Sequence, residues 1–296
     1  MKVLITGGTG LIGSALISSA EGFEFTVLTR AIGKAKSILP ASVKYIDSLA
    51  NLHNLDEFDA VINLAGEPII GKRWSDQQKD QICQSRWQIT EELVQLFAHS
   101  KMPPKVFISG SAIGVYGDRG DESLTEVSSI AERDFSTMLC QRWESIAKQA
   151  EPYTRVVLLR TGIVLSAQGG ALAKMLLPFK CGLGGRISSG QQYMAWIHYL
   201  DHINAIHFLL NETNISGPVN LVAPNAEKNM VFTQVLAKTL HRMAIFPMPK
   251  IVLRLLLGEA SSLLLDSQKV LPQTLLNRGF VFKFNKLRPA LIDLVG

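Results

Sequence analysis

The residues Thr6-Gly7-Gly8-Thr9-Gly10-Leu11-Ile12-Gly13 carry the spacing Gly-x-Gly-x-x-Gly at positions 8, 10 and 13. An apolar run, Val3-Leu4-Ile5, precedes them and an amphipathic stretch over residues 11–20 follows. In that context each glycine has its own task. One permits a tight turn, the next lets the backbone approach a diphosphate, and the third lets helix pack on strand. The free N–H groups at the helix start then face the anion. Gly7, Thr9, Gly10, Leu11, Ile12 and Gly13 are therefore expected to cradle the pyrophosphate of a nicotinamide dinucleotide. The bland alternative is a plain strand–turn–helix.

A second apolar run, residues 24–29, ends Leu28-Thr29-Arg30. Dinucleotide folds that take NAD place an acid here for the ribose 2′-hydroxyl. This chain has no acid at that point. Arg30 suits a 2′-phosphate through a charge-assisted contact, so the strand end favours NADP(H). The alternative is an arginine that stacks on adenine or is simply exposed. His198 with Asp201 three residues on reads either as a base near neutral pH or as a structural histidine. Arg186, beside Gly182-Leu183-Gly184-Gly185, reads either as an anion contact or as part of a flexible turn. The cysteines, Cys83, Cys140 and Cys181, have no CxxC spacing, which argues against zinc and against a disulfide framework; no metal site is expected.

These side chains need a scaffold. Apolar runs at 3–5, 24–29, 43–46, 60–64, 105–109 and 155–160 alternate with amphipathic stretches. Continuous Val/Ile/Leu runs suit strands covered on both faces, and the alternation implies an α/β fold with a doubly wound, parallel, Rossmann-type sheet. Ser75-Asp76-Gln77-Gln78 fits a capping box, with Ile82, Ile89, Leu93, Leu96 and Phe97 on one face of the helix behind it. Another helix is expected from about 134 to 150. Residues 1–165 read as the cofactor domain, with later strands interleaved up to about 225. Residues 166–296 read as a substrate lobe, of which 247–296 form a small helical C-terminal domain.

The chain has 296 residues, 47% of them hydrophobic and 19% charged, ample for a sizeable core and unlike a disordered segment. The net charge of +5 is scattered, with only Arg30, Lys34 and Lys36 close together, so neither a nucleic-acid partner nor a membrane surface is expected. The apolar stretch 251–265 is broken by Arg254, Gly258 and Glu259 and reads as buried core or a dimer face. No secretory signal is visible, and a cytoplasmic location is expected.

Gly7-x-x-Gly10-x-x-Gly13, together with Asn63-Leu64-Ala65-Gly66, resembles the NAD(P)-dependent epimerase/dehydratase group of extended short-chain dehydrogenases/reductases. Glu67-Pro68, Lys72-Arg73-Trp74, Ser85-Arg86, Ser109-Gly110-Ser111, Trp143-Glu144, Ser189-Gly190-Gln191-Gln192-Tyr193 and Ser267-Gln268-Lys269-Val270-Leu271-Pro272 narrow the resemblance. Together they resemble its atypical SDR39U1-like branch, which ends in a small domain of unknown function. The resemblance implies that Thr29 and Arg30 meet the adenosine phosphate end. It implies that Leu64, Ala65, Gly66 and Glu67 line the ribose and nicotinamide path, and that Arg86 reaches the phosphates. For Arg86 a surface salt bridge is the alternative. Ser109 and Val164 complete the implied cofactor set.

Hydride enzymes of this superfamily use a serine or threonine and a Tyr-x-x-x-Lys, in which the lysine lowers the tyrosine pKa. Aligned on Trp143-Glu144, the tyrosine position falls at Ser136 and the lysine position at Cys140, and no Tyr-x-x-x-Lys occurs anywhere in the chain. The remaining catalytic candidates are Ser111 and Tyr116, in Ser111-Ala112-Ile113-Gly114-Val115-Tyr116-Gly117; the alternative for Tyr116 is a structural tyrosine. The expected function is an NADP(H)-dependent oxidoreductase or epimerase-like enzyme on a small carbonyl or nucleotide-sugar substrate, as a homodimer. The competing reading is an NADPH sensor without catalysis, in keeping with the cell-division label that relatives of this branch have carried.

Overall fold

The computed structural model describes residues 1–130 and 134–296. Seven strands form the main sheet: β1 Lys2–Thr6, β2 Glu24–Leu28, β3 Lys44–Ile46, β4 Ala60–Asn63, β5 Val106–Ala112, β6 Arg155–Thr161 and β7 Gly217–Leu221. Their order is β7-β6-β5-β4-β1-β2-β3, and every neighbouring pair is parallel. The chain winds outward in both directions from β1, so β1 and β4 flank the switch point where Rossmann-like sheets open a ligand crevice.

Side-chain alternation explains the unbroken apolar runs. In β1, Val3 and Ile5 enter one core layer and Leu4 the other. The first layer is covered by α1 (Leu11–Ser19) and α6 (Tyr199–Asn211), through Leu16, Ile17, Ile203, Ile206 and Leu209. The second is covered by α3 (Asp76–His99) and α4 (Phe135–Lys148), through Ile82, Leu93, Phe97, Leu139, Trp143 and Ile146. Both faces are buried, so no polar alternation survives.

Two local expectations change. Ser75 caps α3 by accepting from the Gln78 amide N–H at 3.2 Å. The Gln78 side chain does not complete the box, because the Ser75 N–H donates to the Arg73 carbonyl at 3.1 Å instead. The reciprocal box sits on α4 instead. There Asp134 accepts from Thr137 N at 2.9 Å and Thr137 Oγ1 accepts from Asp134 N at 3.1 Å. Secondly, β5 runs to Ala112, three residues beyond its expected end at Ser109. The small residues Ser109-Gly110-Ser111 let helix α4 lie on the strand: a side chain at Gly110 would meet the Trp143 ring at 2.7 Å.

Helix α2 (Ile32–Ile38) connects β2 to β3, and after β6 comes a lobe containing α5 (Gly170–Lys180), α7 (Asn229–Thr239), α8 (Lys250–Leu257), α9 (Ser262–Leu265), α10 (Gln273–Asn277) and α11 (Leu287–Val295). The lobe is tied back to the sheet domain. Gln268 donates to the carbonyls of Ile113 and Gly117, both at 3.1 Å. Val270 pairs with Leu124. The Asp201 carboxylate accepts from the amides of Lys283 and Phe284. On α8, Leu253 is buried but Ile251, Leu255 and Leu256 are 71%, 72% and 61% exposed, so this stretch is not buried core. Among the described residues no helix is long and apolar enough to cross a membrane.

Candidate cofactor and substrate site

The turn after β1 is held by its glycines. Gly7 has φ +69°, and a Cβ there would lie 2.5 Å from the Leu64 carbonyl oxygen. Gly13 has no room for a side chain against the Gly7 carbonyl. Gly8 is packed under Val27 and Ile17. Gly10 is different: a Cβ would meet only the Gly7 oxygen, at 3.2 Å, so its outer face is open. The left-handed residue is thus Gly7, and the working spacing is Gly7-x-x-Gly10-x-x-Gly13. Helix α1 begins at Leu11 with no side-chain cap, which leaves the N–H groups of its first turn for a ligand. An open glycine face beside an uncapped helix start fits a diphosphate.

At the end of β2, the Thr29 hydroxyl accepts from Ala31 N at 3.3 Å. Arg30 is exposed, and no hydrogen bond or ion pair holds its guanidinium among the described residues. It is free to meet an anion.

The end of β4 is wired to β1 and to two helices. Thr6 Oγ1 donates to Asn63 Oδ1 at 2.6 Å and accepts from Ala65 N at 3.2 Å. Asn63 Nδ2 donates to Thr90 Oγ1 at 2.8 Å, and Trp143 Nε1 donates to the same oxygen at 3.0 Å. This network fixes Leu64 and Ala65 opposite the glycine turn. Thr6, Asn63 and Thr90 are scaffold residues that local spacing does not reveal.

Arg86 turns its guanidinium to the loop that follows β4. Its guanidinium donates to the carbonyls of Glu67 at 3.1 Å and Ile82 at 3.0 Å. It fills the space where a Gly66 side chain would stand, 2.8 Å from that Cβ position. Burial lowers its pKa. Arg86 therefore braces the 64–67 loop, with two of its N–H groups on backbone carbonyls. Ser109 lies within β5. It is fully buried and its hydroxyl turns to the Gly110 carbonyl at 3.4 Å, because the crevice end of β5 lies at Ala112.

Next to the turn lies a cavity of about 300 Å³. Leu11 and Val164 line it on the cofactor side, and Ala112, Ile113 and Gly114 form the end of β5. Ser136 and Cys140 line it from α4. They occupy the positions of the missing tyrosine and lysine, packed against Gly114 at 3.3 and 3.9 Å from its Cβ position. Burial, with Glu144 adding to it, pushes the Cys140 thiol up to about 12, so it is a neutral wall group.

Ser111 and Tyr116 do not line this cavity. The Ser111 hydroxyl donates to Glu144 Oε1 at 2.7 Å. The Tyr116 phenol donates to Asn220 Oδ1 at 2.8 Å and accepts from Arg160 Nη1 at 3.0 Å. Arg160 in turn grips Glu144 through Nε and Nη2. Desolvation raises the Tyr116 pKa, with Arg160 opposing. Both expected catalytic groups are thus spent in a buried network joining β5, α4, β6 and β7. Among the described residues the carboxyls that line the cavity are those of Asp134 and Asp266. Burial, followed by the like charges of Asp118 and Asp134, pushes Asp266 up to about 6.

The His198–Asp201 pairing is also absent. His198 caps α6 by accepting from Leu200 N at 3.2 Å, stacks on Phe284, and places Nε2 3.3 Å from Asp293. It does not line the cavity, and neither does Arg186, which is exposed.

The sequence profile of the NAD dependent epimerase/dehydratase family matches residues 3–223, and that of a domain of unknown function, DUF1731, matches residues 248–294. An epimerase family protein of Staphylococcus aureus is 41% identical over 299 residues, covering 99% of both chains. One from Staphylococcus epidermidis is 39% identical over the same span. The crystal structure of human epimerase family protein SDR39U1 with NADPH is similar at 34% identity and a TM-score of 0.91, covering 100% of this chain and 99% of that one. A nucleoside-diphosphate sugar epimerase from Corynebacterium glutamicum is 30% identical with a TM-score of 0.79, and the match covers 58% of that protein. The glycine turn, the wired β4 end and these likenesses lead to one statement: the chain belongs to the NAD-dependent epimerase/dehydratase family.

Proposed function

We propose that this protein binds NADP(H) and works as an oxidoreductase or epimerase-like enzyme on a small carbonyl or nucleotide-sugar substrate. The carrying observation is the continuity of two halves of one crevice. The open face of Gly10 and the uncapped start of α1 lie on one side, and Leu11 and Val164 lead from them into the cavity. Gly7, Thr9, Gly10, Leu11, Ile12 and Gly13 would hold the pyrophosphate. Leu64, Ala65 and Glu67 would flank the ribose, and Arg30 with Thr29 would hold the 2′-phosphate. The likeness to an NADPH-bound structure supports the same choice of cofactor. When bound, the nicotinamide supplies hydride chemistry; the walls of the cavity exclude water and orient the partner molecule.

Titration of NADPH and NADH by fluorescence, followed by nicotinamide absorbance against a panel of carbonyl compounds and sugar nucleotides, tests this reading. Tighter NADPH binding and turnover of at least one panel member support it; equal affinity for the two cofactors and no turnover sink it.

The specific observation favouring a second reading is Ser136 and Cys140 at the usual proton-transfer positions, since neither a serine nor a neutral thiol supplies a proton as a tyrosine beside a lysine does. NADPH binding without turnover would make the protein a sensor. A homodimer belongs to either reading, and the exposed Ile251, Leu255 and Leu256 on α8 favour it; light scattering measures it directly.

A further inference from the structure

The chemistry of the cavity wall is selective. Its described lining includes neither lysine, arginine nor histidine. Ile69, Ile163, Met175, Met194 and Leu264 supply much of the surface. The only charged side chains among the described lining residues are the carboxyls of Asp134 and Asp266. At about 300 Å³ the cavity is at the small end of ligand pockets.

The amides in the wall are already committed. Gln192 Nε2 donates to the carbonyls of Ile187 and Leu264, at 3.2 and 3.1 Å. Gln268 Nε2 donates to Ile113 and Gly117. Asn229 accepts from Ile187 N at 2.7 Å and turns its NH₂ to the Met194 sulfur. Thr161 donates to the Leu159 carbonyl at 3.4 Å and lies 3.1 Å from His202 Nε2. Uncommitted hydroxyls remain on Ser136, Ser262 and Tyr193 alone among the described lining residues. Lys174 donates to the carbonyl of the lining residue Ile70 at 3.3 Å.

A nucleoside-diphosphate sugar carries two negative charges and a ring of hydroxyls. It needs cationic or N–H donors for the first and several free partners for the second. Among the described lining residues the cavity offers no cationic side chain and only three free hydroxyls, and its two carboxylates repel a diphosphate across low-dielectric walls. Burial first, and then the like charges of Asp118 and Asp134 against the opposing Lys250, let Asp266 hold its proton up to about 6.

We propose that the cavity takes an uncharged, predominantly apolar carbonyl compound and rejects nucleotide sugars. The proposal rests on the reading of the crevice as a cofactor-and-substrate site and narrows its substrate class. A small ketone or aldehyde places its apolar body against Ile163, Met175 and Leu264. Its one oxygen faces the few free hydroxyls or the Asp266 carboxyl.

The test uses prodan, an uncharged aryl ketone whose emission shifts to the blue in apolar surroundings, with the full chain saturated in non-fluorescent NADP⁺. Saturable, blue-shifted binding is expected. Small uncharged ketones should displace it at concentrations about 100-fold below any effect of UDP-glucose or dTDP-glucose, a gap of about 3 kcal/mol. Met175→Glu should weaken prodan at least about 10-fold. NADPH affinity, read from its own fluorescence, should be unchanged in that variant. Asp266→Asn should narrow the preference for acetophenone over 4-acetylbenzoate. Micromolar competition by a sugar nucleotide overturns the proposal. So does prodan binding that Met175→Glu leaves intact, since the probe then sits elsewhere, and so does the absence of saturable binding. If ketones bind here without oxidising NADPH, the ligand class stands and the proposed turnover falls.

Discussion

Glu144 grips Arg160 with both carboxylate oxygens, 2.8 Å from Nε and 2.8 Å from Nη2, and both side chains are about 5% exposed or less. The pair bridges α4 to β6, and Ser111 and Tyr116 attach to its two ends. A buried pair of this kind is costly to break from one side, because the remaining charge has no water to turn to. Glu144→Gln keeps the shape and removes the counter-charge. It is expected to lower unfolding stability by about 3–5 kcal/mol, read as the midpoint of urea denaturation.

Tyr116→Phe tests whether the phenol is structural. Without it Asn220 Oδ1 loses its donor and Arg160 Nη1 an acceptor. A stability loss of about 1–3 kcal/mol is expected. On any substrate the wild type turns over, kcat should change by less than about twofold, since catalytic proton transfer contributes about 10²–10⁴-fold. A hundredfold fall in kcat with an unaltered melting curve would return Tyr116 to the chemistry.

Arg30→Ala removes the free guanidinium at the end of β2. NADPH affinity should fall about 10- to 100-fold, as for one charge-assisted contact, with NADH affinity nearly unchanged. The NADPH loss should shrink at high salt because Arg30 is exposed. Parallel titrations at two ionic strengths decide it.

The pH profile should carry two opposite limbs. Burial holds the His202 pKa down at about 4, against an ordinary 6.5. Between those values the unfolded chain binds a proton that the folded one refuses, so stability is full above 6.5 and falls as pH drops toward 4. Asp266 has the reverse sign. Its folded pKa of about 6 lies above the ordinary 3.8, so its contribution is present below 3.8 and lost as pH rises through 6. Asp266→Asn should therefore raise the melting temperature at neutral pH and leave it unchanged near pH 4, as scanning calorimetry can show.

The features legible in the chain were the local ones. The glycine turn, the strand before it and Arg30 at the end of β2 lie within a single βαβ unit, where spacing dictates geometry. The Rossmann-like sheet followed from repeated apolar runs. The surroundings of Ser111 and Tyr116 were not legible, for two physical reasons. The end of β5 was set three residues early because small residues weakened the strand signal, although α4 needs that smoothness to pack. Tyr116 was set at the crevice because its partners, Arg160 and Asn220, lie 44 and 104 residues away, and no periodicity reports such contacts. Asp266 escaped notice for the same reason: the C-terminal segment brings it beside α4 only in three dimensions.

That C-terminal segment also sets an order of assembly. Residues 262–268 supply one wall of the cavity and are latched by Gln268 to the carbonyls of Ile113 and Gly117. All seven sheet strands precede them in the chain. As the polypeptide leaves the ribosome, the glycine turn and its supporting strands can be complete while the cavity is still an open trough. The nascent protein thus completes its glycine turn first and its cavity wall last.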